Sequence, residues 1–169
     1  HALIEVDITR GNLNPLPIAI SPLHSDKDTT KELKKLISID NIGDEISSVI
    51  ENNLKSTGLF NPLERKAFLQ KPDVAHLKPR FEDWSLIKAQ ALITGKVEYK
   101  EGKVRVEFRL WDVLAAREML ALAFTTVPNN WRRIGHIISD KIYERLTGEK
   151  GYFDTRIIYV SEEGPKTKR

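Results

Sequence analysis

No cysteine occurs anywhere in the 169 residues. That absence excludes disulfides and thiolate catalysis, and it deprives a structural zinc site of its usual sulfur ligands. It does not select a compartment, because a core of this size needs no disulfide even under oxidising conditions. No apolar run approaches the roughly 18 residues that a membrane helix requires. The glycines form neither G-x-G-x-x-G nor the phosphate loop that ends in Gly-Lys-Ser/Thr. His1, His24, His76 and His136 are scattered, without a His-x-x-x-His or Glu-x-x-His pair, so the sequence offers no metal site. Internal repeats and low-complexity tracts are also missing. The net charge is only +3, far from the concentrated excess of a dedicated nucleic-acid binder. The chain begins at His1 rather than Met, which points to a processed or cut start.

What is present is globular: 30% charged and 40% hydrophobic residues, enough for one domain with one core. The organising stretch runs from Ala91 to Val127 and reads as three strands. Ile93, Val97 and Tyr99 share one face of the first, with Gly95 between them. In the second, Val104, Val106, Phe108 and Leu110 alternate with Arg105, Glu107, Arg109 and Trp111. In the third, Leu120, Leu122 and Phe124 alternate with small or polar partners. This period of two predicts a half-buried antiparallel meander. Lys100-Glu101-Gly102 supplies its first turn and Asp112 to Ala116 its second.

Amphipathic helices flank the meander and supply its cover. Thr29 or Thr30 caps a short helix through Ile39. Asp40 or Asn41 caps the next, whose stripe is Ile42, Ile46, Val49, Ile50 and Asn53 and whose stop is Gly58. Gln70 to Pro79 reads as irregular, and Glu82 to Lys88 as a short helix. Asn129 or Asn130 caps a strong helix, Trp131 to Leu146, striped by Trp131, Ile134, Ile138, Ile142 and Leu146 and stopped by Gly148. Ile18-Ala19-Ile20 is an inner strand. Ile4, Val6 and Ile8 alternate with Glu5, Asp7 and Thr9, a strand pattern at a terminus, where it either joins a sheet or pairs with another chain. With the meander, Ile18 to Ile20 and Ile4 to Thr9, the expectation is a mixed, roughly five-stranded α/β (α+β) sheet under helices. Arg156 to Val160 reads as one more strand, expected to fray or to self-associate through residues 155–161.

His136, Ser139 and Asp140 invite a hydrolase reading. A nucleophilic serine, however, sits on an exposed strand-to-helix turn with its base delivered from elsewhere. Three polar groups on one helix offer no oxyanion hole. Trp84, Trp111 and Trp131 are spread over three elements and read as packing residues. The sequence shows no catalytic or cofactor-binding set, and an enzyme is disfavoured.

A longer pattern carries the functional reading. Trp131, Arg133, Gly135-His136, Ser139-Asp140, Tyr143-Glu144-Arg145-Leu146-Thr147-Gly148, Lys150-Gly151-Tyr152-Phe153, Thr155-Arg156-Ile157 and Tyr159-Val160 follow one another at spacings that resemble the TolB family of the Tol–Pal system. Pro17-Ile18, Pro22, Asn41-Ile42-Gly43, Phe60 to Arg65, Trp84-Ser85 and Gly95-Lys96-Val97 match in the same order. Lys31 to Ile39 departs from the family pattern as an insertion. The resemblance implies a periplasmic, non-enzymatic interaction protein that supports outer-membrane integrity, protein transport and constriction at cell division. It implies an α/β domain similar to an anticodon-binding domain, with no cofactor and no membrane insertion. A β-propeller that binds Pal would follow it.

The domain expectation is residues 1–12 as a partner segment, 13–153 as the α/β domain, and 154–169 as linker and propeller start. The family's amino-terminal box binds the C-terminal domain of TolA. Here the box corresponds to Leu3, Ile4, Glu5, Val6, Asp7, Ile8, Thr9, Arg10, Gly11 and Asn12. A loose edge strand there suits β-augmentation. The alternative is a nucleic-acid-binding module of anticodon-domain type. It requires a basic surface with exposed aromatics, whereas the meander interleaves Arg with Glu.

Overall fold

The structure is a computed structural model that describes residues 4–8 and 14–154. Its centre is the meander. Strands β4 (Ala91–Lys100), β5 (Lys103–Asp112) and β6 (Arg117–Thr126) pair antiparallel in sequence order. The tight turn places both Glu101 and Gly102 at positive φ, the geometry that matches the twist of a two-residue hairpin. On the other side of β4 lies β1 (Leu16–Ile20), which runs parallel to it and parallel also to β3 (Phe60–Pro62). The order is β3-β1-β4-β5-β6, and the two-residue β2 (His24–Ser25) also pairs with β4. The sheet is thus mixed, as the sequence predicts, and open, with six strands where roughly five are expected.

Three helices cover one face. In α1 (Lys27–Ile37), Asp26 accepts the Thr29 N–H, so Asp26 is the cap rather than Thr29 or Thr30. Thr29 instead turns inward and accepts the Tyr99 N–H, fastening α1 to β4. Asn41 caps α2 (Ile42–Ser56) by accepting from Asp44 N–H. Helix α5 (Trp131–Thr147) follows β6 through a 3-10 turn at Pro128–Asn130. The turn replaces the expected asparagine cap, since Asn130 makes no side-chain cap bond. Gly148 ends the helix in the left-handed conformation. Trp131, Ile134, Ile138, Ile142 and Leu146 are all buried, in one core with Ile46, Ile50, Ile93, Val106 and Phe108. At Gly135 a Cβ would lie 2.7 Å from Val49, so the small residue sets how closely α5 approaches α2.

The opposite face is covered too, over part of its area. Helices α3 (Pro72–Ala75) and α4 (Phe81–Leu86) pack a second cluster of Ala75, Trp84, Ala89 and Leu92 against it. This is why Ala91 to Gly95 are buried without alternation, whereas β5 alternates cleanly. The stretch from Gln70 to Pro79 therefore contains a helical turn where the sequence reads as irregular. Buried Gln70 organises it: its Oε1 accepts from Trp84 Nε1 (2.8 Å) and Arg80 N–H (3.0 Å), and its Nε2 donates to Lys78 O.

Ile4 to Ile8 is not a strand of this sheet, contrary to the sequence reading. The fifth strand of the path is β3, at the edge beside β1. Leu3, Thr9 to Asn12 and the expected strand at 155–161 lie outside the described residues.

Candidate partner-binding site

Ile4 to Ile8 crosses between two elements. The Ile4 N–H donates to Asp112 Oδ2 (3.0 Å), at the end of β5. The Val6 N–H donates to Leu146 O (2.7 Å), in the last turn of α5. Both acceptors explain why no ladder forms. A helix leaves its final carbonyls without intrahelical partners, and Leu146 O is one of them. Asp112 is buried, and its other oxygen accepts the Ala115 N–H. Among the described contacts of its backbone, fixed acceptors rather than a strand edge hold the segment. The Ile4 and Val6 side chains pack half-buried against the main core, while Glu5, Asp7 and Ile8 are exposed. The alternation in the sequence is thus real as an inward and outward pattern, but it serves docking onto a helix end. Asp112 and Leu146 were not legible as receptors, because neither residue type nor spacing links them to the terminus.

The remaining candidates do not assemble into chemistry. Asn53 Nδ2 lies 2.9 Å from His136 Nδ1 and donates to Ser139 Oγ at 3.1 Å, and Ser139 donates to Gly135 O. Asp140 points elsewhere, accepting backbone N–H groups of Phe153 and Asp154. The three residues join α2 to α5 and α5 to its following loop. Two histidines that the sequence leaves apart do meet: His24 and His76 stack with ring centres 4.9 Å apart. Burial first, then the neighbouring His24 and Lys96, hold His76 below its usual pKa. No group of three or more potential metal ligands occurs among the described residues.

Cations on the open sheet face are engaged by carboxylates. Lys96 pairs with Glu98 and Glu107, Arg105 with Glu107, and Arg109 with Glu118. The tryptophans are packing residues: Trp84 is fully buried, and Trp111 Nε1 donates to Thr94 Oγ1. Trp131 is buried beneath the Arg132 guanidinium, which lies 4.6 Å over its ring. Among the described residues, no helix is long and apolar enough to cross a membrane. What the geometry offers is a docked segment with exposed side chains.

Comparison with known proteins agrees with that architecture. Residues 4–119 match the TolB amino-terminal domain. The chain belongs to the TolB family. It is 74% identical over 168 residues to the Tol-Pal system protein TolB of Pelagibacter ubique (strain HTCC1062), a match covering 99% of this chain and 38% of that protein. The crystal structure of TolB from Acinetobacter baumannii superposes with a TM-score of 0.66 at 20% identity, over 89% of this chain and 33% of that one. The chain therefore spans between a third and two fifths of the length of these TolB proteins.

Proposed function

We propose that this is a non-enzymatic, periplasmic protein-interaction domain of the Tol–Pal system that binds the TolA C-terminal domain through its amino-terminal segment. The observation that carries the reading is the attachment of that segment. It belongs to no sheet and is tied through Ile4 and Val6 to a side chain and a helix end. An extended chain outside any ladder can add to the sheet edge of a partner, with backbone hydrogen bonds for affinity and alternate side chains for specificity. Leu3 to Asn12 supply that strand, the hydrophobic contacts coming from Ile4, Val6 and Ile8. In the longer protein a propeller binds Pal, and the system supports outer-membrane integrity and constriction during division.

Titration of the domain against the TolA C-terminal domain, with and without residues 1–12, tests the assignment. Binding is expected only with the segment present. Undiminished affinity after its removal would place the TolA contact elsewhere.

A further inference from the structure

The longest continuous sequence pattern that resembles the family runs through α5 and the residues after it, beyond residues 4–119. Its side chains have a common task. After Gly148 the chain reverses and runs back along α5. The Glu149 N–H donates to Thr147 Oγ1 (3.1 Å), and the Gly151 N–H to Glu144 Oε2 (3.0 Å). The Phe153 and Asp154 N–H groups donate to the two oxygens of Asp140, at 2.7 and 3.0 Å. The Asp154 carboxylate closes the series on Arg133, meeting Nε at 3.1 Å and Nη2 at 3.3 Å. Partners therefore step back from residue 147 to 133, about 20 Å along the helix at 1.5 Å per residue. An ordinary helix exit is tied over its last turn only.

Two further features make the reversal specific. A Cβ on Gly151 would stand 2.5 Å from Asp140 Oδ1 and 2.6 Å from its Cα, so the strand of chain touches the helix backbone there. Tyr143, Tyr152 and Phe153 form an aromatic trio with ring centres 4.5 to 6.1 Å apart. Phe153 packs on the core, but Tyr152 remains 51% exposed, two residues before Asp154.

We propose that residues 148–154 are a fixed strap keyed by Asp140, and that the strap and Tyr152 seat the polypeptide that follows in longer family members. The strap sets the point and direction at which that polypeptide departs. This rests on the reading of the chain as the amino-terminal part of a two-domain Tol–Pal protein. The occupant is intramolecular because the polypeptide continues in sequence directly from the strap that carries the exposed ring, and because the solved TolB extends well beyond the share matched here. Asp140 is a positioning residue that acts through two backbone amides.

The test uses the protein extended to the length of its relatives. A cysteine introduced by Lys35→Cys on α1 and a second in the following domain carry spin labels, and this domain contributes no competing thiol. A single narrow distance is expected, broadened about twofold by Asp140→Ala or Gly151→Val and less by Tyr152→Ala. Amide exchange guards against misfolding. Gly151, Phe153 and Asp154 should exchange roughly a hundredfold more slowly than free peptide, and lose that protection in Asp140→Ala while Ile138 and Ile142 keep theirs. A broad distance in the unmodified protein, or a distribution unchanged by Asp140→Ala, overturns the proposal. TolA titration of the same samples reads the amino-terminal segment separately, so failed TolA binding with an intact narrow distance would sink the functional reading alone.

Discussion

Helix α5 holds two stretches of chain, by different means. At its C-terminal end it offers one carbonyl, Leu146 O, to Val6, and the segment around Val6 gains one further described backbone tie at Asp112. Along the remaining turns it offers Glu144, Asp140 and Arg133 to the strap, which follows them residue by residue. Among the described residues, the first attachment includes two backbone hydrogen bonds and two half-buried aliphatic side chains. The second uses charge-assisted bonds, a close approach at Gly151 and an aromatic trio. On the proposed reading, the first contact must be weak enough for a partner strand to replace it. A contact that fixes the exit of a chain has no such limit.

The largest effect should come from removing the platform that both share. Ile138 is fully buried in the middle of α5. Ile138→Ala should lower stability by about 2–5 kcal/mol in denaturant titration, through lost transfer energy and the cavity left behind. It should loosen segment and strap together. A loss confined to one of them would show that α5 does not act as a single body.

Gly151→Ala should break only the strap. The added methyl meets Asp140 Cα and Cβ as well as its Oδ1, so moving the carboxylate alone gives no relief and the loop must shift. A loss of about 1–3 kcal/mol is expected for such overpacking, with the Val6 amide still protected from exchange. Deleting residues 1–12 should break only the other end. Because Ile4 and Val6 touch the core, a loss of about 1–2 kcal/mol is expected from their partial burial, together with loss of TolA binding. An unchanged denaturation midpoint would mean that the segment is already undocked in solution.

Much of this fold was legible in the sequence, for identifiable reasons. The β5 alternation and the α5 stripe each repeat one period over three or more turns or pleats, and each lies where the pattern puts it. The helix stop at Gly148 was legible because a left-handed cap favours glycine. Ile4 to Thr9 misled because alternation reports an inward and outward face and says nothing of the backbone partner. Asp112 is separated from Ile4 by 108 residues, and no local signal announces it. Gln70 looked like loop composition, yet it is the buried hub beneath α4. The roles of Asp140 and Gly151 were equally invisible. Both stood in the pattern that resembles TolB, but only the fold shows that one touches the other.

The smallest expected effect concerns acid, and it separates α5 from the opposite side of the sheet. His76 stacks on His24, linking the end of α3 to β2. Desolvation lowers its pKa most, followed by His24 and Lys96, while Asp73 and Glu107 oppose the shift. A base whose folded pKa lies below its unfolded value binds fewer protons when folded. Its stabilising contribution is therefore present above the usual value of 6.5 and is lost as pH falls below that value through the lowered one. Thermal scans from pH 7 downward should show a shallow fall in Tm, and His76→Phe, which keeps a ring against His24 without the charge, should flatten it. Over the same range the Leu77 amide should lose protection before those of Val6 and Phe153, because the histidine pair lies across the sheet from α5. Simultaneous loss at all three amides would mean that the sheet transmits the change, and that the two attachments on α5 are not insulated from the layer behind them.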